Sequence, residues 1–386
     1  MIFKKILFQT ILNLANSFFA FLFVYALVHY GSTKLVGELY IALAACSMVL
    51  LVQLVMPPNF SLMRIQDKIG VSKIVTSFYC YIQPLVFIVS ILVGKYLLSF
   101  DIYLSFLFGV FCCLTGIFNL FDVLFQAKAR LDIFLSLQTL WSIMKLAGVI
   151  VLSPEIISIK SLISIFVISQ IFVLILMFIF AFRIYGKALR PVSLRRLNSY
   201  LKASYVLAKN YYLSAFIKKI IDNAPAIVFY PVLSRDVIGA FSLYQKCLTF
   251  GVSLIRTIES LLLNRGFFEI FNRKILYIAA PCSQLFVLCF GAIYLYSTIG
   301  VSWPDLTIFS FTVYPISIVI SERAKLLSSY RINIINKALL MALVGFGVYV
   351  WIFQSNTVTF ALASYSFMVF LQALFLVVFS RISVGK

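Results

Sequence analysis

The sequence predicts an all-α integral membrane protein, with about 12 transmembrane helices in two six-helix lobes around a central cavity. Three observations predict it. Hydrophobic residues make up 63% of the 386 residues and charged ones only 11%, where a soluble domain keeps about a quarter of its residues charged. Apolar runs of about 20 residues, the length that crosses a bilayer, recur along the whole chain. A basic, polar stretch near the midpoint separates the first half of those runs from the second.

Taken in order, the runs lie at 6–30, 38–57, 72–94, 102–125, 132–152, 159–182, 204–232, 237–262, 275–297, 304–321, 333–352 and 358–380. The first follows Met-Ile-Phe-Lys-Lys. It is too long for a signal peptide and has no small-residue cleavage site, so it reads as the first membrane helix. The seventh is the least regular, because it carries Lys218, Lys219 and Asp222. With a cytoplasmic N-terminus, most Lys and Arg residues fall on the cytoplasmic side. The opposite side holds only Lys34, Lys95, Lys160 and Arg235. That asymmetry predicts an even number of spans and both termini in the cytoplasm. It also accounts for the net charge of +20 without invoking nucleic acid, for which no motif is present.

The organisation follows. An N-terminal lobe covers 1–182 (helices one to six), a cytoplasmic linker covers 183–203, and a C-terminal lobe covers 204–386 (helices seven to twelve). Lobes with an even number of spans keep the same orientation and are related by an axis along the membrane normal. A short repeat supports duplication. Ser32-Thr33-Lys34-Leu35-Val36-Gly37 follows the first helix and Ser234-Arg235-Asp236-Val237-Ile238-Gly239 follows the seventh. Both read Ser-x-x-aliphatic-aliphatic-Gly, where glycine allows a tight turn or a close helix start.

The loops are short. They hold no nucleotide-binding loop of the G-x-x-x-x-G-K-[ST] kind, which excludes an ATP-driven pump in one chain. No catalytic residue, metal ligand or cofactor is expected. The seven cysteines, Cys46, Cys80, Cys112, Cys113, Cys247, Cys282 and Cys289, all fall in apolar runs and read as small core residues.

Polar residues inside the runs carry the functional signal, because a charge at the bilayer centre costs about 2.5–3.5 kcal/mol and usually faces a cavity or a partner. On helix eight, Lys246, Thr249, Ser253, Arg256 and Ser260 follow one helical stripe, with Glu259 beside Arg256. On helix seven, Lys218 and Lys219 lie one turn from Asp222. On helix one, Gln9, Asn13, Asn16 and Ser17 form an uncharged polar stripe. Together these describe a wet, net-positive surface suited to an anionic ligand. The alternative is structural pairing, Lys218 with Asp222 and Arg256 with Glu259. Helices four and five carry further stripes, Cys112-Thr115-Asn119-Asp122-Gln126 and Gln138-Ser142-Lys145, read as interhelical hydrogen bonding. Pro84, Pro225, Pro281 and Pro315 lie inside runs, and Pro225, just after Asp222, is the candidate gating bend. His29, the single histidine, is a candidate coupling or structural residue at the outer end of helix one. Trp303 and Trp351 read as interfacial anchors.

With these features the chain resembles the Wzx-type polysaccharide repeat-unit flippases of the multidrug/oligosaccharidyl-lipid/polysaccharide exporter superfamily. The resemblance covers nearly the whole chain. It rests on the twelve-span plan, the two halves, Gly37 and Gly239, and Leu124-Phe125-Gln126-Ala127-Lys128 at the end of helix four. It implies a protein of the bacterial inner membrane that moves an undecaprenyl-pyrophosphate-linked oligosaccharide, such as an O-antigen unit, from the cytoplasmic to the periplasmic leaflet. The two lobes would rock around a cavity lined by helices one, two, seven and eight. Lys218, Lys219, Lys246 and Arg256 would then attract the phosphates, and Gln9, Asn13, Asn16, Thr249 and Ser253 would bond sugars. Polymer-pathway glycosyltransferases and a polymerase are the implied partners. Helix two, with Glu38, Ser47 and Gln53, fits that lining less well. A multidrug/cation antiporter of the same superfamily is the alternative, although its site would centre on unpaired carboxylates. A membrane polysaccharide polymerase would need a large outer loop, which this chain lacks.

Overall fold

The computed structural model describes residues 2–56, 61, 64–65, 71–128, 130–152, 157–262, 274–298, 302–328 and 331–384. Among these, all regular structure is helical. In chain order the helices are α1 (Ile2–Tyr30), α2 (Thr33–Val49), α3 (Val71–Leu92), α4 (Ile102–Ala127), α5 (Leu131–Val151), α6 (Ile159–Tyr185), α7 (Leu194–Phe229), α8 (Arg235–Leu262), α9 (Lys274–Thr298), α10 (Trp303–Ser310), α11 (Val313–Ser328), α12 (Ile332–Ile352) and α13 (Val358–Val384). Each predicted run overlaps a helix, with the tenth split into α10 and α11, and the seventh begins ten residues early, so that the first turns of α7 occupy 194–203 of the stretch read as linker. Pro315 explains the split. It has no N–H to donate, and its ring would clash with the carbonyl of Phe311 four residues back. The chain instead turns there, with Thr312 N–H donating to the Phe309 carbonyl (3.0 Å) and Tyr314 N–H to the Phe311 carbonyl (3.1 Å).

Nine stretches among the described residues are long and apolar enough to cross a membrane. The helices outside that group are α7, α8 and α9. Of these, α7 and α8 carry the intramembrane charges singled out from the sequence. Outward-facing apolar stripes complete the membrane signature. On α6, Ile168, Ile175, Phe178 and Phe182 are all exposed, an apolar surface that water would not tolerate at this extent.

Packing divides the chain into two compact units. One comprises Met1–Leu12 and Ala42–Lys219, the other Asn13–Ile41 and Ile220–Lys386. The boundaries fall inside α1, α2 and α7.

The first unit is built on aromatic packing between α3, α4, α5 and α6. Phe118 of α4 meets Phe134 and Trp141 of α5, each at 5.2 Å between ring centres. Tyr185 at the end of α6 donates to the Leu124 carbonyl at 2.6 Å. Polar groups link helices here, and of the sequence stripes Thr115 takes part. Gln170 donates to the Thr115 hydroxyl at 3.3 Å, and the Trp141 indole donates to Ser169 at 3.0 Å. Lys145 rests its ammonium over the Trp141 ring, 3.9 Å from its centre, which offsets part of its desolvation. The Gln126 amide donates to Asp122 at 2.6 Å, within α4.

The second unit closes around Phe229, Phe241 and Phe346, all fully buried. Phe229 meets Phe241 edge-on at 5.4 Å and Phe346 at 6.0 Å. The C-terminal part of α1 joins this unit through Phe18 and Phe21, which pack on Phe250 of α8.

The cysteines divide by environment. Cys46, Cys112 and Cys247 are buried core residues, but Cys80, Cys282 and Cys289 are exposed. The expectation that all seven are core residues is corrected for those three. Trp303 and Trp351 are exposed at helix ends.

Candidate functional site

The repeated Ser-x-x-aliphatic-aliphatic-Gly segments form the first turns of α2 and α8, both in the second unit. In each, the serine caps its own helix. Ser32 Oγ accepts from Leu35 N–H at 3.2 Å and Ser234 Oγ from Val237 N–H at 3.4 Å, the side-chain capping that helix N-termini favour. The glycines then bring the two helices together. A methyl group on Gly37 would collide with the carbonyl of Arg235, and one on Gly239 would collide with the carbonyl of Thr33. Each glycine therefore faces the carbonyl four residues before the other, a two-fold-like crossing that only a missing side chain permits. Polar side chains fasten it. Thr33 Oγ1 donates to Asp236 Oδ1 at 3.2 Å, and Arg235 Nη1 pairs with Glu38 Oε1 at 2.6 Å. Of the two readings of the glycines, the close helix approach is the one realised.

One turn further in, Tyr40 of α2 donates its hydroxyl to Gln245 Oε1 of α8 at 2.6 Å. Asp222 of α7 and Tyr365 of α13 lie within electrostatic reach of Tyr40. Here α8 shows a narrow open face. From Ile238 to Ile255, every described side chain of α8 is buried except Gln245, Lys246 and Thr249. Thr249 turns its hydroxyl to the Gln245 carbonyl at 2.8 Å. The predicted stripe thus splits. Lys246 and Thr249 lie on the open face, while Ser253 is buried and donates to the Phe250 carbonyl at 2.6 Å. The side chains of Arg256 and Glu259 lie outside the described residues.

The remaining predicted residues are placed as follows. Asn13 and Asn16 are half-buried on α1 in the second unit, and Gln9, also half-buried, belongs to the first. Lys218 and Lys219 close the first unit. Asp222, exposed, and Pro225, buried, lie on the continuation of α7 in the second. Helix α7 runs unbroken through Pro225. His29 is exposed and stacks on Tyr25 at 6.0 Å, with Tyr30 edge-on at 5.0 Å.

Tyr40, Gln245 and the pairing of Glu38 with Arg235 are features that sequence reasoning missed. The repeat marked the two segments as related, but their crossing and the pairing of Tyr40 with Gln245 depend on the folded geometry. Chemically, α8 of the second unit presents the Lys246 cation, the Thr249 hydroxyl and the Gln245 amide on one narrow face. Such groups can bind phosphate or sugar oxygens without performing bond chemistry.

No protein-family model matches the sequence, and no curated protein matches it. Solved structures do. The chain is similar to the inward-facing conformation of a multidrug resistance MATE family transporter of the MOP superfamily, with a TM-score of 0.68 and 11% identity over 97% of this chain and 95% of that one. It is similar to a mutant of a Vibrio cholerae MATE transporter, with a TM-score of 0.67 and 11% identity over 99% of this chain and 97% of that one. It is also similar to a MOP superfamily transporter from Pyrococcus furiosus, described as having a binding pocket of reverse polarity that suggests a different function. That likeness has a TM-score of 0.56 and 10% identity over 99% and 96% of the two chains. At these identities the likeness is one of fold: the chain is an all-α, multi-pass membrane protein with the fold of the MATE transporters.

Proposed function

We propose that this protein is an alternating-access transporter of the MOP superfamily whose cargo carries an anionic head group: an undecaprenyl-pyrophosphate-linked oligosaccharide moved across the bacterial inner membrane. The fold supports the transporter part. The observation that carries the cargo is the open face of α8, where Lys246 and Thr249 stand among otherwise buried neighbours. A pyrophosphate and sugars are too polar for hydrocarbon, whereas a polyprenyl tail is at home there. A cationic, hydroxyl-bearing surface shelters the head group while the tail stays in lipid. In this reading Lys218, Lys219 and Arg256 are further cations assigned to the phosphates, and Asn13, Asn16 and Gln9 are neutral partners assigned to sugar hydroxyls. The moving bodies in this reading are the two six-helix halves, 1–182 and 204–386, with Pro225 as the bend that lets α7 follow.

The second reading is a multidrug/cation antiporter. The names of the MATE neighbours favour it. The positive charge of the face, which repels a cationic cargo, disfavours it, and the Pyrococcus furiosus neighbour is a precedent for reversed polarity on this fold.

A binding measurement separates the two. Purified protein is titrated with undecaprenyl pyrophosphate and, separately, with ethidium, and its thermal unfolding midpoint is followed. Ligand that binds only the folded state raises the midpoint. A rise with the pyrophosphate that Lys246→Ala weakens supports the flippase. A rise with ethidium alone supports the antiporter.

A further inference from the structure

The first unit ends in a basic surface that the proposed transport cycle does not use. Gly186, at φ +51, terminates α6 and turns the chain out of the bundle. The segment that follows is clamped by its backbone. Val192 N–H donates to Ser77 Oγ at 2.7 Å, and the Tyr81 hydroxyl donates to the Val192 carbonyl at 2.9 Å. The first turns of α7 are then seated by Leu197, which is buried, and by Tyr200, which accepts from Arg64 Nε at 3.4 Å. Lys128, Arg183, Arg190, Arg195, Arg196 and Lys202 are all exposed on and around this clamped segment. No Asp or Glu occurs between Ile157 and Ile221.

Length fixes the level of this surface. Helix α7 has 36 residues, or ~54 Å at ~1.5 Å per residue, against a hydrocarbon core of about 30 Å. Its polar, basic N-terminal turns therefore lie beyond the hydrocarbon, at the depth of the head groups. Leu194, 62% exposed beside Arg195 and Arg196, adds an apolar side chain where an interfacial helix would place one.

We infer that this clamped basic surface is a docking site for anionic phospholipid head groups of the leaflet it faces. Charge complementarity selects the occupant. Anionic lipid is the one ligand present in excess at that depth, and a juxtamembrane Lys/Arg cluster of this size is the recognised electrostatic match to it. The clamp keeps the cations in place, so lipid binding orders no loop. The site anchors the first unit and is independent of what the transporter carries.

The test uses the full-length protein in detergent. Phosphatidylglycerol and phosphatidylcholine are added separately, and retained lipids are counted by native mass spectrometry alongside the thermal midpoint. Phosphatidylglycerol should be retained preferentially. Neutralising Arg190, Arg195, Arg196 and Lys202 together to Gln should weaken that binding by more than about tenfold, as each surface cation contributes a several-fold factor. Lys95→Gln with Lys160→Gln should leave it unchanged. Should the fourfold variant not fold, the wild-type protein decides, because its phosphatidylglycerol preference must fall steeply in 0.5 M salt. Equal retention of the two lipids, a folded fourfold variant that binds normally, or an equal midpoint shift from soluble glycerol phosphate would each overturn the inference.

Discussion

Gly37 and Gly239 face one another across the crossing of α2 and α8, each against the backbone carbonyl that lies four residues before the other. No side chain intervenes, so the backbones of the two helices meet directly. Adding a methyl group at either position must push the helices apart. Gly37→Ala and Gly239→Ala should each destabilise the protein by about 1–3 kcal/mol, the usual cost of overpacking. Gly347, whose added Cβ would meet nothing within 4 Å, is the control, and Gly347→Ala should leave the thermal midpoint in place or raise it.

The same crossing should separate during transport if the cargo passes through alternating access. Thr33 and Asp236 bridge it at 3.2 Å. A double variant, Thr33→Cys with Asp236→Cys, should form an oxidisable cross-link that stops transport, with recovery on reduction. Undiminished transport by the cross-linked protein would show that the crossing is static.

The Arg235–Glu38 pair is short but half-exposed, with side-chain exposures of 48% and 24%. Pairs of that kind contribute about 0–1 kcal/mol. Glu38→Gln should therefore move the thermal midpoint little, and a double-mutant cycle with Arg235→Gln should give a coupling energy under about 1 kcal/mol. A larger coupling would mean that the pair is shielded from solvent.

Lys246 and Ser253 occupy the same stripe in the sequence but different environments. Lys246→Ala should lower export severalfold while membrane insertion is preserved. Ser253→Ala, which removes a buried hydroxyl that bonds the Phe250 carbonyl of its own helix, should have a smaller effect. Equal losses in both variants, read as surface polysaccharide against protein level, would remove the distinction drawn from burial.

Pro225 is buried within an unbroken α7. Pro225→Ala restores an N–H able to bond the Ile221 carbonyl and stiffens the helix. A gating bend requires slower transport with equal or higher thermal stability. Unchanged transport would leave Pro225 as a static kink.

The helices were readable because an apolar run of bilayer length can satisfy its backbone in lipid only by coiling into a spanning helix. The repeat around Ser32–Gly37 and Ser234–Gly239 was readable too, because glycine at a close helix start is a residue-specific demand, whereas the capping by the serines came from the structure. Further features were hidden for physical reasons. Lipid is as apolar as a protein core, so composition could not tell exposed Cys80, Cys282 and Cys289 from buried Cys46. Helical spacing put Ser253 with Lys246, but the packing that buries one and not the other comes from neighbouring helices. Tyr40 looked like one aromatic residue among many until α8 supplied Gln245 opposite it. Pro315 was visible, yet the place where the chain gives way, at Phe311 and Thr312, is set by the hydrogen bonds it prevents.

The most direct test of the cargo assignment is deletion of the gene in its native host, with surface polysaccharide and lipid-linked intermediates read together. Loss of surface polymer with single lipid-linked repeat units held on the inner leaflet is the predicted result. An unchanged polysaccharide profile, or single repeat units reaching the surface without polymer, would contradict it.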